Sequence, residues 1–338
     1  MSSTPTNKGK EEANNTENTH LDSVLRPHNL SEYVGQESIK KVLKIVLSAA
    51  LERNTPPEHI LLYGPPGLGK TTLANIIAKE IKANIRSTSG PALTKVGDLA
   101  AILTNLSPND VLFIDEIHRI NKSIEEVLYP AMESGKLDII IGKGPGARTV
   151  SLDLPPFTLV GATTRIGMLT APLRSRFHGG TFRLQFYTKD ELVTIILANA
   201  NKLGVKISLD SAQLISERSR FTPRISNYLL KRVRDVSQLN KTDIDIDTTV
   251  SAINMLDIDS LGLGTSERDY LKVLIDKFAG GPTGISTLSS ALSEDGGTIE
   301  DVIEPYLIQL GLIDKTTRGR IATPLAYKHI EAQASIKK

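Results

Sequence analysis

One lysine and two carboxylates carry the chemistry legible in this chain. Gly64-Pro65-Pro66-Gly67-Leu68-Gly69-Lys70-Thr71 has the pattern G-x-x-x-x-G-K-T and follows the apolar run His59-Ile60-Leu61-Leu62-Tyr63. Glycines let backbone N–H groups turn inward around phosphate oxygens, the lysine brings a cation to the outer phosphates, and the Thr71 hydroxyl can ligate Mg²⁺. Forty-five residues beyond Lys70, the apolar run Val111-Leu112-Phe113-Ile114 ends in Asp115-Glu116. Beside a phosphate loop, Asp115 can hold the metal through its water shell while Glu116 orients the hydrolytic water, because phosphoryl transfer is mostly positioning and charge stabilisation. The competing reading is a pair of strand-end acids at a helix start.

Three weaker signals extend this set. Gly161-Ala162-Thr163-Thr164-Arg165 ends another apolar run, and either threonine hydroxyl could bond the γ-phosphate or the attacking water from the opposite side. Threonines at strand ends are also ordinary loop residues. Pro172-Leu173-Arg174-Ser175-Arg176-Phe177 carries two closely spaced arginines, one of which could neutralise charge on the γ-phosphate of a neighbouring subunit, or could simply be solvated. Thr222-Pro223-Arg224 opens a helix whose guanidinium could reach bidentate onto phosphate.

These residues need a scaffold, and the apolar spacing supplies one. Leu73, Ile76, Ile77 and Ile81 recur at three and four, predicting a helix from Thr72 to Lys82 whose N-terminus faces the phosphates. Before the loop, Ser38 heads a helix with Ile39, Val42, Leu43, Val46, Leu47 and Ala50 on one face, ended by Pro56-Pro57. Strand-like runs Ile60–Tyr63, Asn84–Thr88, Val111–Asp115, Phe157–Thr163 and Phe182–Phe186 alternate with helices, which implies an α/β fold with a mostly parallel sheet and a ligand at the strands' carboxyl ends.

After Tyr187 only helical periodicity follows, near Asp190–Leu203, Ser211–Ser219, Arg224–Leu239 and Thr248–Met255, an all-helical small domain. Beyond Leu261-Gly262-Leu263-Gly264, the helical runs Ser266–Lys277, Ile285–Leu292 and Thr298–Leu310 lead to a hairpin built from Leu312-Ile313-Asp314 and Arg320-Ile321-Ala322, the makings of a winged helix. The expected division is a disordered polar tail over 1–20, an ATPase domain over 21–185, a helical lid over 186–258 and a winged helix over 259–338.

With 338 residues the chain exceeds one average domain. Its net charge of +2 neither demands nor excludes an acidic partner. Without cysteine there is no disulfide framework, thiolate metal site or cysteine nucleophile, which fits the cytoplasm. No apolar run approaches the roughly 20 residues of a membrane span, and the N-terminus has no secretory core.

Taken together, the phosphate loop, Ile114-Asp115-Glu116-Ile117-His118-Arg119, Gly161-Ala162-Thr163-Thr164-Arg165 and Thr222-Pro223-Arg224 resemble the AAA+ P-loop ATPases. More narrowly they are similar to the RuvB family. That likeness runs from Leu25-Arg26-Pro27 to about Tyr327 and includes Leu128-Tyr129-Pro130-Ala131-Met132-Glu133 and Thr317-Arg318-Gly319-Arg320. It implies a homohexameric ATP-driven motor that translocates duplex DNA and branch-migrates Holliday junctions in recombination and repair. A RuvA-like junction-binding protein would be a direct partner, and a RuvC-like resolvase an indirect one. It also implies site roles: Leu25, Arg26 and Tyr187 around adenine; Gly67, Leu68, Gly69, Lys70, Thr71 and Thr72 on the phosphates; Glu133, Ser134 and Gly135 near nucleotide. Thr164, or Thr163, matches the first sensor, Arg224 the second, and Arg176, with Arg174 the alternative, the intersubunit finger.

Residues 136–153 alternate apolar and polar around Gly142-Lys143-Gly144-Pro145-Gly146, a hairpin inserted before the fourth strand. An apolar run such as Leu137, Ile139 and Ile141 needs a partner surface or burial within the chain; partner binding is the expectation and self-burial the alternative, and the resemblance makes this the RuvA-docking element. Lys315, Arg318 and Arg320 around Gly319 form a basic tip suited to sequence-independent phosphate contacts, or else a solvated loop. Departures from the family pattern are local: Phe221 stands where a glycine is usual, and His178-Gly179-Gly180-Thr181 is one residue longer, which affects the finger and the Tyr187 register. A clamp-loader ATPase shares the motifs but lacks the inserted hairpin, and a slow ATP switch would have no need of Glu116.

Overall fold

A computed structural model of the chain describes residues 24–141 and 148–336; the polar tail over 1–20 and the hairpin tip lie outside them. Contacts divide the chain into two compact units, one ending at Tyr187 and the other starting at Thr188.

The first unit is a parallel sheet with helices. Its elements are α1 (Glu37–Arg53), β1 (Ile60–Tyr63), α2 (Lys70–Glu80), β2 (Ile85–Ser89), α3 (Val96–Thr104), β3 (Val111–Asp115), α4 (Lys122–Ser134), β4 (Lys136–Ile141), β5 (Arg148–Asp153), β6 (Thr158–Thr163), α5 (Ala171–Ser175) and β7 (Gly180–Arg183). Five strands pair in parallel in the order β2-β3-β6-β1-β7, with β4 and β5 forming a separate antiparallel hairpin. The central β1, β3 and β6 are buried along almost their whole length because parallel strands are covered on both faces. Leu61, Leu112, Ile114 and Leu159 join Leu99, Leu103, Ile124 and Leu128 in one core.

Sequence and structure differ at α1 and at β7. On α1 the buried stripe is Ile39, Leu43, Leu47 and Ala50, while Val42 stays 45% exposed, so the apolar face is narrower than its sequence period implied. The last strand begins at Gly180 rather than Phe182, because Gly179 N–H donates to His59 O at 2.9 Å and a Cβ at Gly179 would lie 2.4 Å from Glu58 O. Two glycines therefore let pairing start early.

The second unit holds α6 (Lys189–Lys202), α7 (Leu209–Arg218), α8 (Pro223–Asn240) and α9 (Ile246–Met255), followed by α10 (Thr265–Lys272), α11 (Ile285–Leu292), α12 (Glu304–Gln309), β8 (Ile313–Thr316), β9 (Gly319–Ala322) and α13 (Pro324–Ile336). Side-chain oxygens of Thr188, Ser208, Thr222 and Asp245 cap the first four helices and explain where each begins. One core gathers Ile196, Ile215, Leu229, Leu230 and Val233; a second gathers Tyr270, Leu271, Leu274, Leu307 and Ala326. The π-turn Ile299–Ile303 leads directly into α12, whose second residue, Pro305, lacks an N–H and crowds a regular preceding turn.

Candidate nucleotide and DNA sites

The phosphate loop closes the gap between β1 and α2. Gly64, Gly67 and Gly69 hold φ of 141°, 81° and 96°, a region that side chains resist. At Gly69 a Cβ would also lie 2.9 Å from the Tyr33 hydroxyl. Lys70 is buried, and its Nζ donates to Gly64 O at 2.8 Å and Pro65 O at 3.0 Å, so the ammonium is folded into the loop it serves. The α2 helix begins at Lys70, two residues before the expected start, which directs its first free N–H groups into the loop.

β3 and β6 deliver the remaining chemistry to the same end of the sheet. Thr71 Oγ1 donates to Asp115 Oδ2 at 3.5 Å, bringing together the hydroxyl and the carboxylate expected to flank a metal. Two oxygen donors of these kinds fit Mg²⁺, which keeps most of its shell as water and phosphate. Glu116 sits one residue past the strand with φ 46°, and its carbonyl packs so tightly on Gly90 that a Cβ there would lie 2.3 Å away. Thr164 bonds Glu116 Oε2 through its hydroxyl at 3.1 Å and its N–H at 3.4 Å. Thr163 instead faces His118, with Oγ1 and Nδ1 2.9 Å apart. The two threonines thus separate, and Thr164 is the one on the carboxylate.

Tyr187 and Tyr33 converge on this loop from different parts of the first unit. Their hydroxyls reach Leu68 O at 3.5 and 3.4 Å, and both rings are buried. Burial and the neighbouring Tyr187 hold the Tyr33 hydroxyl well above its usual range. The extra residue near 178–181 therefore leaves Tyr187 at the loop. Leu25 is buried and Arg26 exposed. Tyr33 was not foreseen; its only signal was an aromatic residue in a chain with 4% aromatics.

Arg176 and the segment Glu133-Ser134-Gly135 are found elsewhere. They line a cavity of about 560 Å³ together with Pro57, His59, Leu154 and Phe157. Those walls precede β1, β6 and β7, so the cavity opens at the amino ends of the strands, whereas the phosphate loop is at the carboxyl end. A strand of this length spans roughly 15–20 Å. Within one chain, then, Glu133, Ser134, Gly135 and Arg176 do not share a pocket with Lys70. Arg176 is held there by Glu133 Oε1 at 2.8 Å, Pro172 O at 2.6 Å and the Tyr129 ring 4.3 Å below its guanidinium, while Arg174 is exposed.

Comparison with known proteins decides the family. The family model described as Holliday junction DNA helicase RuvB P-loop domain matches residues 25–184, the RuvB AAA lid domain matches 187–259, and the RuvB C-terminal winged helix domain matches 260–331. The chain belongs to the RuvB family. It is 54% identical over 312 residues to the Holliday junction branch migration complex subunit RuvB of Fusobacterium nucleatum, covering 92% of this chain and 94% of that one. The structure of the Thermotoga maritima RuvB Holliday junction branch migration motor superposes with a TM-score of 0.84 at 48% identity, covering 91% of this chain and 98% of that one. An alanine-to-serine variant of the same protein gives 0.85 at 49% identity, with the same coverage.

In the second unit of this RuvB-family chain, Arg224 is exposed just behind the N-cap Thr222 and Pro223, at the first turn of α8. Phe221, where the resemblance leads one to expect glycine, takes φ 55°, and Arg220 before it takes φ 51°. The left-handed turn is thus kept without glycine. Compensation comes from packing: the Phe221 ring meets Tyr306 edge-on at 6.1 Å, and Arg220 pairs with Glu267 at 2.6 Å and donates to Gly262 O at 2.9 Å. The Tyr306 hydroxyl, pushed up to about 12 chiefly by burial, donates to Leu261 O at 2.6 Å.

The basic tip requires a correction. Lys315 and Arg318 are exposed, but Arg320 is only 6% exposed and points inward. Its Nε meets Glu304 Oε1 at 2.8 Å and its Nη2 meets Glu300 Oε1 at 2.6 Å; Tyr270 also donates to Glu304 at 3.1 Å. Burial alone would lower the Arg320 pKa, but the Glu304 and Glu300 bonds outweigh it and raise it. The alternation along β9 puts Arg320 on the face opposite Ile321, toward the carboxylates. Lys315 pairs with Glu300 at 2.8 Å while half exposed.

The inserted hairpin also differs from expectation. Leu137 is fully buried in the first unit's core and Ile139 packs against it, while the side chain of Ile141 lies outside the described residues. Exposed apolar surface comes instead from the partner strand, at Val150 and Leu152, 38% and 39% exposed, which face Ile139 and Leu137 in the ladder.

Proposed function

We propose that the chain is one subunit of a homohexameric ring that hydrolyses ATP between neighbouring subunits and drives duplex DNA through the ring, moving a Holliday junction. Membership of the RuvB family supports the ATP-driven branch migration activity. The observation that carries the chemical reading is the gathering of Lys70, Thr71, Asp115, Glu116 and Thr164 at one end of the sheet.

Lys70 and the loop N–H groups bind the β- and γ-phosphates, Glu116 takes a proton from the attacking water, and Thr164 holds that carboxylate in place. Mg²⁺, between Thr71 and Asp115, would neutralise charge developing on the phosphate oxygens. Leu25, Arg26 and Tyr187 enclose the base. Because Arg176 and Glu133-Ser134-Gly135 sit at the opposite end of the sheet, they face the nucleotide of the neighbouring subunit, with Arg176 as the finger and Arg174 outside it. Arg224 reports nucleotide state to the lid.

Val150 and Leu152 form the docking face for a RuvA-like partner, with a RuvC-like resolvase associated through the junction rather than this chain. Lys315 and Arg318 take DNA phosphates without regard to sequence. Among the described residues no helix is long and apolar enough to cross a membrane. Glu116→Gln tests the chemical core: nucleotide binding and ring assembly should persist while turnover stops, and normal turnover would refute the assignment.

A further inference from the structure

We infer that His118 is a positioning residue for Glu116, selecting which of its carboxylate oxygens meets the attacking water. The inference rests on the reading of Glu116 as the group that accepts the water proton, and goes beyond it by assigning a residue and an atom.

His118 lies in the short helical turn Ile117–Arg119 directly after Glu116, and its side chain is 7% exposed. Its Nδ1 stands 3.2 Å from Glu116 Oε2 and 2.9 Å from Thr163 Oγ1. A lone pair aimed at a carboxylate oxygen at this distance would be repulsive, so Nδ1 carries the proton. Thr163 Oγ1 already accepts the Arg165 N–H at 3.0 Å, and the same oxygen can accept part of the Nδ1–H.

Three donors therefore converge on a single oxygen: His118 Nδ1, Thr164 Oγ1 and Thr164 N, all on Oε2. Glu116 Oε1 has no hydrogen-bond donor among the described residues. The consequence is stereochemical. Oε2 is spent on the scaffold and Oε1 is presented to the site, so the proton of the attacking water passes to Oε1. The backbone under this carboxylate is in the left-handed region at φ 46°, and its carbonyl is wedged on Gly90, so the main chain is pinned while the side chain keeps its own torsions. Fixing those torsions falls to Thr164 and His118. Two supports from different places, the residue just past β6 and the turn after β3, define a plane that one hydroxyl alone would leave free to swing.

A reacting group displaced by about 1 Å loses on the order of a hundredfold in rate, which sets the scale of the test. The full-length protein is assayed for ATP turnover, nucleotide affinity and thermal melting as the parent, His118→Leu, His118→Asn and His118→Asp. Leucine has the same branched heavy-atom skeleton as asparagine without a donor, whereas the asparagine amide can place N–H where Nδ1 stood. The expected result is a kcat lower by about tenfold to a hundredfold in His118→Leu, with KM and nucleotide affinity unchanged. His118→Asn should recover to within about threefold of the parent. His118→Asp, which sets a second carboxylate against Glu116, should be at least as slow as His118→Leu.

Glu116→Gln and the double variant Glu116→Gln with His118→Leu separate the two readings. If His118 acts through Glu116, the double variant turns over no more slowly than Glu116→Gln alone. Equal rates for His118→Leu, His118→Asn and the parent would overturn the inference, as would a His118→Leu loss of the same factor in both backgrounds. Glu116→Gln with near-parental turnover would instead overturn the reading of Glu116 itself, and this inference with it.

Discussion

The phosphate loop and the wing both carry basic residues on tight glycine turns, yet the structure uses them in opposite ways. Lys70 is buried against carbonyl oxygens of its own loop, neutral acceptors that a phosphate can displace. Arg320 is buried against two carboxylates, Glu300 and Glu304, which no passing phosphate would displace at comparable energy. A buried cation with carbonyl partners is poised for a ligand; a buried cation with carboxylate partners is part of the frame. Of the three basic residues at the wing, Lys315 and Arg318 remain on the outside, and the half-exposed Lys315–Glu300 pair is a weak one.

The sharpest way to break this comparison is at the catalytic end. Glu116→Gln should lower ATP turnover by at least about a hundredfold with nucleotide affinity retained. Turnover assays alongside fluorescent-nucleotide titrations measure both. At the wing, Arg320→Ala should destabilise the second unit by about 3 kcal/mol, because Glu304, 2% exposed, loses its guanidinium partner and keeps only the Tyr270 hydroxyl and the more distant Lys315. Arg318→Ala should change denaturant stability by less than about 0.5 kcal/mol. Equal stability of the two variants would erase the distinction between frame and ligand contact.

A third buried pair joins the helical part of the second unit to its last helix. His329 Nε2 lies 2.7 Å from Asp259 Oδ2, and the other Asp259 oxygen accepts the N–H groups of Leu261 and Leu263, each at 2.9 Å. Burial tends to raise the Asp259 carboxyl, but the bonds from His329 and Leu263 outweigh it, so the net shift is downward. A carboxyl depressed in the folded state stabilises above its unfolded pKa of about 3.9 and loses that contribution as pH falls through the folded value. Asp259→Asn should therefore cost about 1–3 kcal/mol at neutral pH and less as the pH drops below about 4. Urea denaturation at several pH values checks the sign. The smallest expected effect is on DNA: Arg318→Ala should reduce the slope of log affinity against log salt by about 1 without changing sequence preference. An unchanged slope would take the wing out of the DNA path.

The catalytic end was legible because its residues act through local motifs. The glycine spacing of the loop, the acids at the end of β3 and the threonines at the end of β6 each announce themselves within a few residues, and a parallel sheet brings strand ends together by topology alone. Tyr33 escaped because its partner is 35 residues away and it belongs to no spaced pattern; His118 stands two residues past Glu116, but its role shows only once the fold brings Thr163 to its ring and Thr164 to the same Glu116 oxygen. Arg320 was misplaced for a related reason. Sequence puts it beside Arg318 on a turn, but Arg318 lies outside the ladder, whereas Arg320 is inside β9 on the face away from Ile321, turned toward Glu304 sixteen residues upstream. Leu137 was misjudged because the base of the hairpin is anchored in the core; among the described side chains of the hairpin, Val150 and Leu152 on β5 are the exposed large apolar ones. Glu133 and Arg176 read as nucleotide residues, yet only the strand polarity reveals that they serve a different end of the sheet.

Branch migration of a synthetic four-way junction, followed with ATP and Mg²⁺ present and with and without a purified RuvA partner, tests the central claim most directly. The account predicts partner-stimulated strand exchange that stops in Lys70→Ala and in Glu116→Gln. Robust ATP hydrolysis with no movement of the junction, or migration that survives Lys70→Ala, would contradict it.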